Sequence, residues 1–320
     1  MFLRTLTHDF FRFFGLKFQR TTSSFRNRLA VYNIGKDEYE ITGDTLFLKE
    51  LGLQIPVAKA APVLERYQDA NQLAKKANFK FSADNEGQLH ANNNQVQFKI
   101  NDEEELFILS EVFLEGAYNL ISPTPKKIAL IDIGMNVGIT TLFYASKENV
   151  DKVFSFEPFA PTFSMALQNI RLNQLYAGKI KANNFGLAKK EASLLVPYSP
   201  KQKGRMGLRG LPKSEGYVAE NTSEQLIHLK SAREELSKIK EQVTGHFVVC
   251  KIDAEGAEYE IIDSLNNAGL ISFVDVYFIE WHQLKPTRIV STLAANNYNV
   301  IETTFSQLHS GMIYAVKKEP

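Results

Sequence analysis

The stretch LIDIGMNVGITT, Leu130 to Thr141, runs an apolar β-type segment into an aspartate and then into a turn with two glycines. A strand ending in Asp132, the turn GMNVG and a helix behind it aim backbone N–H groups and a helix N-terminus at whatever lies at the carboxyl edge of a sheet. Nucleotide and adenosyl groups both bind at such an edge. The dinucleotide fingerprint G-x-G-x-x-G, counted from Gly134, needs glycine at 136 and 139, where this chain has Asn136 and Ile139. The missing second glycine is the one that lets a pyrophosphate approach the backbone, so the turn favours a ligand without phosphates.

S-adenosylmethionine is such a ligand. Asp132 offers a charge partner for its ammonium, and Gly134 and Gly138 admit its bulk. The next apolar run, VFSFEP, ends in Glu157, where a carboxylate can accept both ribose hydroxyls. That pairing is shared with nicotinamide sites, which also carry an acid about 20 residues on.

Outward from this turn the apolar pattern alternates between short β-type runs and longer helical ones. Strands are expected at IALIDI, KVFSFE, KIKANN, FVVCKID and VDVYFIE, with helices from Thr140, Pro161, Gly256 and Pro286. Such alternation implies a parallel sheet covered on both faces. The chain then carries YNVIETTF and MIYAVKK around SQLHSG, which reads as a terminal antiparallel hairpin.

Upstream the pattern differs. FKFSADNEGQLHANNNQVQFKI holds strand runs around Asn- and Gly-rich turns, and NDEEELFILSEVFLEG reads as a helix capped by Asn101 and ending at Gly116. Glu103, Glu104 and Glu105 fall in its first turn, where the helix dipole favours acids. The expected organisation is therefore a basic aromatic arm over 1–36, a small α+β cap region over 37–125 and the main domain over 126–320.

The arm carries Arg4, Arg12, Lys17, Arg20, Arg26, Arg28 and Lys36 against one acid, Asp9, interleaved with phenylalanines. Charges interrupt it too often for a signal peptide or a membrane span. It suits either an interfacial helix on an anionic membrane through residues 1–30, or a helix packing on its own or a sister subunit, which would make a homo-oligomer. A second basic segment, with Lys201, Lys203, Arg205, Arg209 and Lys213, reads either as a lid over an anionic substrate or as a solvated loop. The helix after it is expected to turn Leu229, Ala232, Leu236, Ile239 and Val243 toward the core.

With 320 residues, 44% hydrophobic content and a formal net charge of +1, the chain reads as a globular protein without the global field that would hold a nucleic acid. Its single cysteine, Cys250, permits no intramolecular disulfide and no Cys-based zinc site. A reducing cytoplasm is the expected compartment, with peripheral contact at the inner membrane face as an option.

The ordered motifs IDIGMNVGITTLFYA, VFSFEP, LQNIRLNQL, KIDAEGAEYEII and FIEWH resemble the FkbM family of S-adenosylmethionine-dependent methyltransferases over about residues 128–318, with a weaker echo in EELFILSEVFLEGAYNL. The resemblance implies a class I methyltransferase fold, a Rossmann-like seven-stranded α/β sheet closed by the C-terminal hairpin. It assigns Asp132, Gly134, Asn136 and Gly138 to the methionine side of the cofactor, Glu157 to the ribose and Asn184 to the neighbourhood of the adenine. Met135 departs from the family pattern, which has a small residue there, and would narrow the methionine pocket.

Methyl transfer to an alcohol needs in-line alignment and a proton acceptor. Asp253 and Glu255 in KIDAEGAEYE, and Glu280 and His282 in FIEWH, are the candidate catalytic residues. Glu258 and Glu260 read as surface acids of the following helix. Glu280 and His282, two apart, share a strand face, so the carboxylate can orient the imidazole as a base. The same groups leave open a divalent metal, although their spacing is not diagnostic of one.

A [D/N]-P-P-[Y/F] motif for amide or adenine N-methylation is replaced by DAEG, and Cys250 in an apolar run is a poor nucleophile for cytosine chemistry. The expected function is O-methylation of a sugar, a glycan precursor that includes lipid-linked forms, or a polyketide-like metabolite. The alternatives are a non-catalytic cofactor-binding scaffold and, less favoured, a nicotinamide-dependent oxidoreductase.

Overall fold

The computed structural model describes residue 25 and residues 29–119, 126–200, 203, 222–305 and 310–318. The N-terminal part holds a three-stranded antiparallel sheet, β1 (Tyr39–Thr42), β2 (Thr45–Leu48) and β3 (Leu53–Pro56). Two helices follow, α1 (Ala61–Glu65) and α2 (Tyr67–Ala77). A second antiparallel sheet, β4 (Lys80–Ala83), β5 (Leu89–Asn92) and β6 (Gln97–Ile100), forms where the Asn- and Gly-rich turns predict it.

Helix α3 (Glu103–Ser110) continues as a π turn over Glu111–Glu115 and ends at Gly116, whose φ of 70° is the left-handed geometry that glycine supplies. Its cap differs from expectation. Asp102, not Asn101, accepts from the backbone N–H groups of Glu104 and Glu105 at 3.2 and 3.3 Å. Asn101 instead donates its own N–H to the Glu105 carboxylate at 2.7 Å.

The main domain alternates strand and helix: β7 (Ile128–Ile133), α4 (Ile139–Ala145), β8 (Val150–Phe156), α5 (Ala160–Leu172), α6 (Gln174–Ala177) and β9 (Ile180–Asn183). A branch the sequence reading lacked comes next, β10 (Gly186–Ala188), β11 (Ala192–Tyr198) and β12 (Ser223–Ser231), paired in the order β10-β12-β11. Leu229 therefore belongs to β12 and not to the helix behind it. That helix is α7 (Ala232–Gln242), which does bury Ala232, Leu236 and Ile239. The chain continues through β13 (Phe247–Ile252), α8 (Glu258–Asn267), β14 (Val276–His282), α9 (Thr287–Ala295), β15 (Tyr298–Thr304) and β16 (Ser310–Lys317).

The large sheet has seven strands in the order β15-β16-β14-β13-β7-β8-β9. β14, β13, β7, β8 and β9 are parallel, and β16 runs antiparallel to both β14 and β15. This is the class I methyltransferase arrangement, with the C-terminal hairpin as its antiparallel edge. The strand order reverses between β7 and β13, and at such a switch point the flanking loops part to leave a crevice at the carboxyl edge.

Both faces of the sheet are covered, which is why β7 is buried at every residue. On one face Leu130, Leu142 and Tyr144 share a core with Leu46, Leu64, Phe98 and Leu106 of the N-terminal region, and Phe25 of the arm packs against it. On the other, Ile131 and Ile279 pack against Leu236, Ile262 and Leu293. Among the described residues, no helix is long and apolar enough to cross a membrane.

Asn169 on α5 and Asn173, which caps its C-terminus, serve as a substitute strand for the edge of β6. Asn173 accepts from Gln97 N at 2.9 Å and donates to Gln97 O at 2.7 Å, while Asn169 accepts from Lys99 N at 2.9 Å and donates to Val137 O. They tie the small sheet to the turn region of the main domain. Replacing Asn173→Ala leaves both Gln97 groups unpaired and is expected to cost about 1–3 kcal/mol in urea unfolding, with faster amide exchange at Gln97 in the folded protein.

Candidate functional site

A cleft opens at the switch point, lined by Gly134 and Asn136 of the turn after β7, Phe156 to Phe159 after β8, Gly186 and Leu187 of β10, and Asp253 to Glu255 after β13. Gly134 has φ 84°, and a Cβ there would lie 1.8 Å from the carbonyl oxygen of Asp253, so only glycine lets the two strand ends approach. Gly138, at φ 86°, begins α4, and Asn136 between them takes φ 52°, a left-handed conformation that asparagine tolerates.

Glu157 is buried at the back of this cleft. Its carboxylate accepts from Asn136 N and Phe159 N, each at 3.0 Å, which fixes the acid and the turn against one another. Burial, partly offset by these two bonds, pushes its pKa up to about 7. Each carboxylate oxygen retains a lone pair after one such bond, so Glu157 can still accept from a ligand.

Asp132 is completely buried, and the structure gives its charge a partner the sequence reading lacked. Lys251, in the middle of β13, places its Nζ 3.5 Å from Asp132 and 3.3 Å from Asp253, and donates to Gly134 O at 2.6 Å. Burial opposes the ammonium, but Asp253 and Asp132 outweigh it and hold its pKa above the ordinary value. Burial likewise raises Asp132, with Lys251 and a 2.6 Å hydrogen bond from Thr141 Oγ1 working against the rise. Asp132 Oδ1 and Asn136 Oδ1 remain buried without a hydrogen bond. Asp132 Oδ1 nevertheless faces the Lys251 ammonium at 3.5 Å, so Asn136 Oδ1, in the cleft lining, is the acceptor that suits a donor group of a bound ligand.

Met135 is buried and is not among the residues lining the cleft, so its thioether does not narrow the pocket. Asn184 is exposed, and its amide donates to Glu157 O at 2.9 Å, which braces the end of β8 outside the cleft. Gly186 and Leu187, just after it in sequence, line the cleft.

The candidate catalytic residues do converge. His282 ends β14, with its Nε2 3.5 Å from Glu280 and 3.7 Å from Glu255. Its Nδ1 lies 2.8 Å from Glu258, which is fully buried and not the surface acid its helix position suggested. Glu258 also accepts from Ala254 N and Gly256 N, at 3.2 and 2.9 Å, so one carboxylate holds both the DAEG turn and the imidazole. Glu260 is exposed, as expected.

Burial alone would lower the His282 pKa, yet its bonds to Glu258 and Glu280 and the charge of Glu255 push it up to about 12. The surrounding carboxylates thus favour the protonated form of the imidazole. Glu255 is pushed up to about 8 by burial, against the attraction of His282. Burial and the Asp253 charge raise Glu280 as well. Cys250 is buried with a raised pKa, a strand-core thiol.

Of the basic segment, Lys203 lies within the described residues and Lys201, Arg205, Arg209 and Lys213 lie outside them. Lys203 is buried, with Nζ paired to Asp102 and 2.9 Å from Glu105, so its charge meets acids of this chain and not a substrate anion. It nevertheless borders the cleft. Residues 1–24 and 26–28 of the arm also lie outside the described residues.

A doubly wound sheet with a cofactor-type turn at its switch point defines the Rossmann-like methyltransferase class. Residues 132–306, more than half of the chain, match the family described as "Methyltransferase FkbM domain", and the chain belongs to that family. It is similar to "Methyltransferase 1" of Beauveria bassiana, 25% identical over 172 residues covering 50% of this chain and 67% of the relative. It is also similar to "Methyltransferase sdnD" of Sordaria araneosa, 24% identical over 188 residues covering 53% and 72% of the two chains. A solved FkbM methyltransferase from Methylobacillus flagellatus KT aligns at 12% identity and a TM-score of 0.44, covering 64% of this chain and 47% of its own, so this chain spans about half of that protein's length.

Two outcomes follow from the charges. Lys251→Met strands Asp132 and Asp253 as an unpaired acid pair and is expected to destabilise the fold by about 3–5 kcal/mol in denaturant unfolding. The raised Glu157 binds its proton more tightly folded than unfolded. Its contribution to stability is full below the ordinary carboxylate pKa and is lost as pH rises to about 7. The wild-type unfolding free energy should therefore fall more between about pH 5 and pH 7.5 than that of Glu157→Gln, which urea titrations of the two proteins at each pH would compare.

Proposed function

We propose that this chain is an S-adenosylmethionine-dependent O-methyltransferase whose acceptor is a hydroxyl of a sugar, a glycan precursor or a polyketide-like metabolite. The observation that carries the cofactor reading is the buried acceptor Asn136 Oδ1, which has no hydrogen bond, beside Glu157 in the cleft at the sheet's switch point. The acceptor class rests on the FkbM family and on the carboxylates gathered at the ends of β13 and β14.

When bound, S-adenosylmethionine supplies an electrophilic methyl carbon: a new C–O bond forms to the acceptor as the C–S bond breaks, leaving S-adenosylhomocysteine. The protein's part is to align and to take a proton. Asp132 and Asn136 meet the amino acid portion, and Glu157 accepts from the ribose hydroxyls. Gly134 keeps the strand ends close enough for the two halves of the cleft to face one another. As the oxygen is alkylated its proton passes to Glu280, the cluster's least enclosed carboxylate, with 27% of its side chain exposed. His282, whose Nε2 lies 3.5 Å from Glu280, favours the carboxylate form of that acid. A membrane-linked acceptor would suit the basic aromatic arm over residues 1–30.

Calorimetric titration of S-adenosylmethionine and S-adenosylhomocysteine into the full chain tests the reading. Both should bind saturably, and Glu157→Gln should weaken them about 10- to 100-fold, the loss of charged hydrogen bonds to two hydroxyls. A folded wild-type protein that binds neither would sink the proposal.

A further inference from the structure

Beyond the turn that meets the cofactor, the acceptor half of the cleft holds a feature that methyl transfer alone does not demand. Asp253, Glu255 and His282 each offer one ligand atom, and the three atoms lie within 4.8 Å of one another. They come from two places: the DAEG turn after β13, which carries Asp253 and Glu255 two residues apart, and the end of β14, which brings His282 to them from a distant part of the chain. His282 Nε2 stands 3.7 Å from Glu255 Oε2, too far for a good hydrogen bond and too near for two groups that ignore each other. Ligands about 2.1 Å from a shared octahedral cation lie about 3.0 Å apart in adjacent positions and about 4.2 Å apart across it.

The surroundings hold these atoms in place. Glu258 is fully buried and fixes the imidazole through Nδ1 at 2.8 Å, which leaves Nε2 as the atom turned to the cluster. The same carboxylate accepts from Ala254 N and Gly256 N, and so sets the turn that carries Glu255. Glu255 itself takes φ 49°, in the left-handed region that a glutamate rarely adopts. A carboxylate that orients a histidine by its far nitrogen while bracing a second donor is the outer shell that metal-binding histidines have. The charge is also one-sided: Asp253, Glu255, Glu258 and Glu280 face this space against His282 and a lysine shared with Asp132.

We propose that Asp253, Glu255 and His282 form a divalent cation site, with Glu258 as the residue that positions two of the three ligands. Two carboxylate oxygens and one imidazole suit a hard or borderline ion such as Mg²⁺ or Mn²⁺. Asp253 and Glu255 line the cleft, so adjacent hydroxyls of an acceptor bound there could complete the coordination of such an ion. Glu280 stays outside the ligand set and keeps its part as proton acceptor. This use of the ion rests on the methyltransferase reading, whereas the ion's binding does not.

The test uses the full chain stripped of metal by chelation and titrated with Mn²⁺ alone, followed by electron paramagnetic resonance and calorimetry. One Mn²⁺ is expected to bind, with Glu258→Gln weakening it about 10- to 100-fold and Glu255→Gln by at least as much. Circular dichroism establishes that each variant is folded. Glu255 is partly exposed on a turn, so Glu255→Gln provides the comparison if Glu258→Gln does not fold. Wild-type protein that takes up no Mn²⁺, or variants that bind it as tightly as wild type, would overturn the site. S-adenosylmethionine titrated into the same samples separates the two readings: cofactor binding without Mn²⁺ removes the cation site and leaves the methyltransferase, and Mn²⁺ binding without the cofactor does the reverse.

Discussion

A single buried ammonium organises the centre of this protein. Lys251 lies in a strand with apolar residues on either side, yet its Nζ reaches Asp132, Asp253 and the carbonyl of Gly134. A buried charge is tolerated only when paired and hydrogen-bonded, and here the pairing spans β7, β13 and the turn between strand and helix. The consequence is geometric. The two strands on either side of the switch point are drawn together at their carboxyl ends, so the backbone of Gly134 packs against that of Asp253 with no room for a Cβ. The cofactor turn and the acceptor cluster are therefore parts of one rigid unit.

The fold of the main domain was largely legible because parallel strands buried on both faces leave continuous apolar runs. IALIDI, KVFSFE, KIKANN, FVVCKID and VDVYFIE each became a strand, and the final hairpin took its expected place at the antiparallel edge. The small sheet of β10, β11 and β12 was not legible. β12 buries Ile227 and Leu229 and exposes His228 and Lys230, a period of two, but Leu229, Ala232 and Leu236 also fall three and four apart. The helical period thus absorbed the end of a strand.

The site was legible where an acid closes a strand run or sits in the turn after it, and illegible where a residue's place depends on a partner distant in sequence. Asp132, Glu157, Asp253 and Glu255 were expected at strand ends and stand there. Lys251 and Glu258 were missed because their roles depend on partners far away in sequence: Glu258 meets His282 from β14, and Lys251 meets Asp132 from β7. A charged residue inside a run such as FVVCKID was the available signal, since an unpaired lysine would not be kept in a central strand. Asn184 shows the opposite case, a residue carried over from a family pattern whose side chain here braces backbone carbonyls.

The two halves of the cleft differ in charge, and this difference explains how one fold separates its tasks. On the β7 and β8 side, Glu157 is held by two backbone N–H groups, and Asp132 by Thr141 and by the lysine it shares with Asp253. On the β13 and β14 side, Asp253, Glu255, Glu258 and Glu280 share one imidazole and the same lysine. The first half is preorganised to receive a ligand that brings a positive charge. The second is under-neutralised, and its carboxylates retain the capacity to take a proton or a cation. The N-terminal region adds to this imbalance: Glu111, raised to about 8 by burial and by the charges of Glu280 and Asp253, brings a further acid to that side from the π turn after α3. Asp102 and Glu105 of the same helix pair with Lys203, which draws a basic residue to the cofactor side and leaves the acceptor side acidic. The cap is thus a participant in the electrostatics of both halves as well as a cover for one face of the sheet.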